Sequence, residues 1–258
     1  MDSGLLIVNA DDYGATAVTS DSILECMLAG AVTSTTAMVF MSHSAVAAGN
    51  ARKSGINAIG LHLNFTEPFD APDVPADVRQ RQAALCRHFA PLARRRWTYS
   101  VKPSLRHAIR DCIDDQVREF LRLYGHEPTH FDGHHHAELC PDIFLSSRFP
   151  PFARGRRAPV PRQSRGAMRL LRAVRQAAVT RRIITTDVIL DFAAIHPTLG
   201  GEGLQVLDSV RHSTVEILCH PGVDNERQLL LTDGWRSVVS SRPHGSFAAL
   251  AVPGNGRQ

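Results

Sequence analysis

The chain has 258 residues, of which 43% are hydrophobic and 21% are charged, proportions that are typical of a soluble globular protein. It has neither an apolar run near the ~20 residues of a membrane span nor a basic stretch before its first apolar run, so no membrane helix and no secretory signal are predicted. Five scattered cysteines without a C-x-x-C pair favour free thiols in a reducing cytoplasm over a disulfide framework or a zinc ribbon.

The first quarter of the chain alternates strand and helix patterns. Residues 5–8 predict a buried strand, because four consecutive apolar residues lead into a turn signal that contains Asp11 and Asp12. The elements predicted after it are a helix at 16–30, a strand at 33–40, a helix that ends near Gly55 and a strand at 59–65. This order predicts parallel βα units with right-handed crossovers.

The middle of the chain interrupts this alternation. Residues 66–103 are rich in proline, and a segment of this length predicts a lid or an insertion with a helix of its own. Apolar residues at helical spacing then predict a long helix at 104–124. A strand and turn at 129–136 and a short helix at 141–149 are predicted next.

The C-terminal part of the chain carries weaker patterns. The elements predicted there are a strand at 158–162, a helix at 164–179, a strand at 188–192, a loop or helix at 201–210, a strand and turn at 214–222, and a helix followed by a weak strand near Ser246 and Phe247. We expect a single α/β domain over residues 1–258, with the insertion at 66–103 and an arginine-rich segment at 154–182.

Ionisable side chains stand at the ends of four of the predicted strands. They are Asp11 and Asp12, His62, the cluster from His130 to His136, and His220. Because ligands bind at the carboxyl ends of parallel strands, these groups are expected to converge. A carboxylate with two imidazoles suffices to hold a catalytic divalent metal, beside which a second carboxylate can accept a proton from water. His220, on a separate strand, could then act as the general acid.

Simpler interpretations apply to the same residues. Either aspartate could cap the helix that follows, and a single strand histidine is more often structural than a ligand. The run from His134 to His136 could lie on the surface. Cys219 is a weak candidate for a thiol nucleophile beside His220, because neighbours on a strand point to opposite faces. G-x-S-x-G, P-loop and G-x-G-x-x-G motifs do not occur in the sequence.

Five dispersed motifs give the chain a family resemblance. They are N-A-D-D-Y-G at 9–14, V-T-S-T-T-A at 32–37, G-L-H-L-N at 60–64, P-T-H-F-D-G-H-H-H at 128–136 and V-E-I-L-C-H-P-G at 215–222. The chain resembles the YdjC-like carbohydrate deacetylases, which include chitooligosaccharide deacetylases and a hopanoid-biosynthesis branch. The resemblance implies a distorted TIM-like (β/α) barrel of parallel strands, with the active site at the C-terminal strand ends. It further implies a divalent metal, magnesium or zinc, and hydrolysis of the N-acetyl group of an amino sugar.

The resemblance also implies roles for individual residues. The metal ligands would be Asp12, His62 and His134. Asp11 would be the general base and His220 the general acid, which protonates the amine as it leaves. The division of roles between the two aspartates rests on the family alone.

Three further residues complete the expected site. Asp132 is expected to orient a ligand through a hydrogen bond. Glu216, on the His220 face of its strand, and Arg162 are candidates for contacts with a ligand or with the substrate. The implied partner is an N-acetylated sugar, and the implied assembly is a homodimer.

Two rival functions remain from the sequence. Arg162, Arg165, Arg169 and Arg172 recur at helical spacing and could bind a nucleic acid or another polyanion, although a solvated face is favoured because aromatic residues are not interleaved. We therefore expect no nucleic-acid partner. The other rival keeps the metal site and hydrolyses a different amide or a phosphoester.

Overall fold

The computed structural model describes residues 4–94, 102–140, 142–143, 155, 183–196, 198 and 204–250. In this part of the chain, one sheet of six strands alternates with helices along the sequence. The strands are β1 (Leu6–Tyr13), β2 (Ser34–Ala37), β3 (Ile59–Leu63), β4 (Phe131–Gly133), β5 (Val188–Asp191) and β6 (Val215–Cys219).

The order of the strands in the sheet is β4-β3-β2-β1-β6-β5. β2 pairs with β3, β3 with β4, β1 with β6 and β5 with β6, and each of these pairs is parallel. Parallel neighbours cannot be joined by a tight hairpin and need a longer crossover, usually a helix. The parallel sheet that the alternation of strand and helix predicts is therefore confirmed.

The opening strand, β1, is buried along nearly its whole length. Leu6, Ile7 and Val8 expose none of their surface to solvent. Burial on both faces explains why this strand appears in the sequence as an unbroken apolar run and not as an alternating one. Asp11 and Asp12 form part of the same strand, so it carries two carboxylates to the edge of the buried region.

Seven α-helices are described. They are α1 (Ala17–Leu28), α2 (Ser44–Lys53), α3 (Ala76–Arg94), α4 (Arg106–Tyr124), α5 (Phe192–Ile195), α6 (Asp224–Leu230) and α7 (Asp233–Ser240). α4 ends where the sequence predicts, since Gly125 adopts a left-handed φ of 76° and its N–H bonds to the carbonyl of Leu121. Helix α3 lies within the 66–103 segment, for which the sequence predicts a lid or an insertion with a helix of its own, and both alternatives stay predictions.

The chain divides into two compact units. The first contains the described residues within 1–10, 26–34 and 149–258, and the second contains those within 11–25 and 35–148. In the first unit Trp235 is buried, and its indole N–H donates to the carbonyl of Ala31 at 3.0 Å. In the second unit Phe65 and Phe89, from the end of β3 and from α3, pack edge to face with centroids 5.8 Å apart. The single domain over 1–258 stays a prediction.

One predicted element is wrong, and several others lie outside the described residues. The weak strand near Ser246 and Phe247 is instead a 3₁₀ turn at Phe247–Ala249, because the Ser246 hydroxyl accepts the N–H of Ala248 and caps the turn. Three predictions fall outside the described residues: the strand at 158–162, the helix at 164–179 and most of the arginine-rich segment at 154–182.

Among the residues described, every helix is too short or too polar to cross a membrane. α3 and α4 are the longest at 19 residues each, and both carry several charged side chains.

Gly60 offers a stability test of the β3–β4 contact. A methyl group at this position would lie 2.5 Å from Nδ1 of His130 and 2.7 Å from its carbonyl oxygen, which is closer than packed atoms allow. Gly60→Ala should therefore lower the free energy of unfolding by about 2 kcal/mol. Urea denaturation followed by circular dichroism measures this change.

Gly49, within α2, is the matched control, because no atom lies within 4 Å of the methyl group that alanine would add there. Gly49→Ala should raise the free energy of unfolding by roughly 0.5–1 kcal/mol, since alanine loses less backbone entropy in a helix. Equal stability of Gly60→Ala and the wild type would contradict the close approach of the two strands.

Candidate metal centre

A cluster of carboxylates and imidazoles lies within the second unit, at the ends of three strands. Asp11 and Asp12 come from the end of β1, His62 from β3 and Asp132 from β4, while His134 begins the 3₁₀ turn after β4. His62 and Asp132 stand directly opposite each other in the β3–β4 register. Three stretches that are far apart in sequence thus meet in one place.

The backbone at Asp12 brings two adjacent carboxylates to the same histidine. Consecutive strand residues point to opposite faces, but Asp12 has a left-handed φ of 73°, which aspartate tolerates better than most residues. Two groups of potential ligand atoms result, and both include His62. One contains Asp12 and the other contains Asp11.

The first group consists of Asp12, His62 and His134, the three ligands implied by the family resemblance. Oδ1 of Asp12 lies 3.1 Å from Nε2 of His62 and 2.8 Å from Nδ1 of His134. Ligand atoms of a single ion are separated by about 3 Å when each metal bond is near 2.1 Å. The spacing therefore fits one divalent cation.

A second layer of contacts orients both imidazole rings. Nδ1 of His62 lies 2.6 Å from Oδ1 of Asp132, and Nε2 of His134 lies 3.2 Å from Oε1 of Glu67. Each ring thus has one nitrogen toward Asp12 and the other toward a further carboxylate. For His62, whose second nitrogen is hydrogen-bonded to Asp132, this is the usual arrangement of a histidine that binds a metal.

Two residues of this layer were missed from the sequence. Glu67 lies in the proline-rich loop after β3, where no periodicity identifies it. Thr36 lies in β2 and contacts Asp132, His62 and Asp11 through its hydroxyl. Its only signal was its place in the V-T-S-T-T-A motif, which assigned it no role.

The pKa values of these groups show how strongly they interact. Burial alone would raise the pKa of Asp12, but hydrogen bonds with His134 and His62 lower it well below its usual range. Burial alone would lower the pKa of His62, but the charge of Asp132 and of the other carboxylates raises it well above its usual value. Burial is likewise outweighed at His134, where hydrogen bonds with Asp12 and Glu67 raise the pKa to about 9.

The donor set suits a cation. Two imidazoles lie among four carboxylates, those of Asp11, Asp12, Asp132 and Glu67. The negative charge draws protons onto the imidazoles, and a divalent cation in the same place would meet this charge and displace those protons. Carboxylate and imidazole ligands are compatible with either magnesium or zinc.

A cavity of about 780 Å³ opens beside the cluster. Glu67, which contacts His134, and His135, whose Nδ1 lies 3.0 Å from the Thr66 hydroxyl, both line it. The lining residues are Met41, Thr66, Glu67, Pro68, Asp70, Ala90, Ala93 and His135. Its volume falls within the range of small-molecule sites.

The remaining predicted site residues belong to the first unit or are not described. His220 follows β6 in the first unit, and its backbone N–H donates to Oε2 of Glu226 at 2.7 Å. Glu216 is fully buried within β6 and lies 3.4 Å from the Thr186 hydroxyl. Arg162 is outside the described residues. The functional roles of His220, Glu216 and Arg162 stay predictions.

Comparison with known proteins identifies relatives over most of the chain. A chitooligosaccharide deacetylase from Enterobacter sp. (strain 638) is 32% identical over 229 residues, which cover 86% of this chain and 83% of the relative. A chitooligosaccharide deacetylase from Citrobacter koseri is 30% identical over 227 residues, with the same coverage. One from Salmonella schwarzengrund is 28% identical over 232 residues, again covering 86% and 83%.

A solved structure and a family model agree with these relatives. The crystal structure of a putative cellobiose-phosphate cleavage protein from Enterococcus faecalis matches with a TM-score of 0.67 and 22% identity, covering 97% of this chain and 100% of that one. This likeness concerns the fold, and together with the parallel sheet it confirms the predicted α/β class. Residues 5–243 match the family model described as YdjC-like protein. The chain therefore belongs to the YdjC-like family.

Proposed function

We propose that this protein is a hydrolase that uses a divalent metal to remove N-acetyl groups from amino sugars. The observation that carries the proposal is the convergence of Asp12, His62 and His134 on one point of the second unit. Support comes from the relatives named chitooligosaccharide deacetylase, which align with most of the chain.

The metal would be held by Asp12, His62 and His134. A divalent cation at such a site would polarise the amide carbonyl, which makes its carbon a better electrophile. It would also lower the pKa of water, which makes a hydroxide nucleophile accessible near neutral pH. Asp132 and Glu67 keep the two imidazole rings turned toward the ligand position through the contacts at 2.6 and 3.2 Å. The chain thus prepares the site before the cation binds.

Asp11 is the proposed general base. Its carboxylate is buried, and it belongs with His62 and Asp132 to the second group of potential ligand atoms, which leaves it next to the metal ligands. A carboxylate there can accept the proton of the attacking water once that water is acidified. Asp11 would therefore move a proton while Asp12 holds the metal.

His220 is the proposed general acid. An amine is a poor leaving group unless it is protonated as the C–N bond breaks, so the reaction needs a proton donor as well as a base. The C-H-P-G motif assigns this role to His220, which follows β6 in the first unit. Its imidazole would give its proton to the departing nitrogen.

The cavity beside Glu67 is the proposed place for the sugar. Its volume of about 780 Å³ suits a ligand of small-molecule size. We further propose a cytoplasmic location, because five scattered cysteines without a C-x-x-C pair are the usage expected in a reducing compartment. A homodimer remains the proposed assembly.

Acetate release is the direct test of the reaction. Purified protein loaded with magnesium or zinc should release acetate from N-acetylated oligosaccharides, lose the activity with a chelator, and regain it when the metal is returned. Glycolipid precursors, simple amides and phosphoesters serve as competing substrates. Metal-dependent phosphate release without acetate release would instead favour the phosphoester hydrolase.

Replacement of Asp12 tests the metal site. Asp12→Ala removes the carboxylate that contacts both imidazoles, so the affinity for the metal should fall by more than about 100-fold, and turnover should fall with it. Isothermal titration calorimetry with the metal alone measures the affinity. Asp111→Ala, which removes an exposed carboxylate from α4, is the matched control and should bind as the wild type does. Unchanged affinity in Asp12→Ala would make the ligand assignment wrong.

Replacement of Asp11 separates proton transfer from metal binding. Asp11→Asn keeps the shape of the side chain but removes the base, so kcat should fall by roughly 10²–10⁴-fold while the metal content stays at the wild-type level. Steady-state kinetics together with metal analysis of the same preparation provide both measurements. Wild-type kcat in this variant would show that another group accepts the proton.

A further inference from the structure

Thr36 is a buried residue to which the proposed reaction gives no role. It lies in β2, opposite Gly60 of β3, and exposes none of its surface. Its hydroxyl oxygen lies 2.9 Å from Oδ2 of Asp132, 3.2 Å from Nδ1 of His62 and 3.4 Å from Oδ1 of Asp11. One small polar group therefore contacts a proposed metal ligand, the carboxylate behind that ligand and the proposed base.

The distances decide where the hydroxyl proton goes. A threonine hydroxyl has one proton to donate, and O–H···O bonds are made at about 2.5–3.0 Å. The contact with Asp132 falls within this range, and the contact with Asp11 is longer. Thr36 therefore donates to Asp132, and Asp11 keeps its carboxylate free of this proton.

This hydrogen bond restrains the second carboxylate oxygen of Asp132, the one that does not contact His62. Oδ1 of Asp132 lies 2.6 Å from Nδ1 of His62, and Oδ2 accepts the Thr36 hydroxyl at 2.9 Å. With both oxygens engaged, the plane of the carboxylate is fixed. The imidazole ring is then fixed as well, with its Nε2 toward Asp12 at 3.1 Å.

We infer that Thr36 is a positioning residue, whose hydroxyl holds Asp132 so that His62 presents Nε2 to the divalent metal. The inference rests on the proposed metal site, since it concerns how one ligand of that site is aimed. Thr36 acts through Asp132 and His62, and it needs no contact with the substrate. Loss of the hydroxyl therefore weakens metal binding and slows turnover without changing how the sugar is bound.

Two substitutions at Thr36 separate the hydroxyl from the volume of the side chain. Thr36→Val keeps the branched shape and removes the hydroxyl, whereas Thr36→Ser keeps the hydroxyl and removes a methyl group. Thr35→Val is the matched control, because Thr35 is an equally buried threonine on the same strand and points to the other face. The dissociation constant of Zn²⁺ alone is measured by calorimetry, and kcat and KM are measured by acetate release.

Thr36→Val should raise the dissociation constant for Zn²⁺ by about 10–100-fold, the usual effect of losing a partner of a metal-binding histidine. Its kcat should fall by a similar factor with KM within about twofold of the wild type, and Thr36→Ser should restore both kcat and the metal affinity. Thr35→Val should retain the wild-type metal affinity even if its stability changes.

The outcomes separate this inference from the proposed function. Wild-type protein that binds no divalent metal would overturn the proposed function and this inference together. Wild-type protein that binds the metal, with an unchanged dissociation constant in Thr36→Val, would overturn the role of Thr36 alone. Equal losses in Thr36→Val and Thr36→Ser would also overturn it, because volume and not the hydroxyl would then be the cause.

Discussion

The interaction on which the site depends is the pairing of four carboxylates, of which Asp11 and Asp132 are buried, with two imidazole rings. A charge taken out of water costs several kcal/mol unless it is compensated nearby. The imidazole of His62 compensates this cost, because one of its nitrogens lies near Asp12 and the other near Asp132. The imidazole of His134 lies in the same way between Asp12 and Glu67. Negative charge still exceeds what two imidazoles can balance, and this excess is what makes the cluster a place for a cation.

The register of the sheet is what makes these pairings possible. His62 of β3 and Asp132 of β4 stand opposite each other, and both side chains point to the same face of the sheet. A slip of one residue would turn Asp132 to the opposite face and leave His62 without its partner. Gly60, two residues before His62, helps to fix this register, because the absence of a side chain lets His130 approach closely. The packing of two short strands thus determines the chemistry at their ends.

Unusual backbone conformations are concentrated where the chemistry is proposed. Asp12, His135 and His136 adopt left-handed φ values of 73°, 55° and 57°, conformations that cost about 1–3 kcal/mol each. The turn at Asp12 lets adjacent carboxylates approach one imidazole, and the left-handed residues after His134 lead the chain away from β4. Such conformations persist only where surrounding contacts hold them, as the hydrogen-bonded contacts of Asp12 do here.

The sequence by itself determined the strand ends that carry Asp12, His62 and His134, because burial and alternation are local patterns that a single segment reveals. Only the tertiary structure decided that these ends meet in one unit, and that Glu67 and Thr36 stand behind the ligands. A threonine within a strand is what β-propensity alone predicts, and a glutamate in an aperiodic loop carries no pattern, so neither had a local signal of function. Their roles arise from distances between segments, and such distances are fixed only by packing.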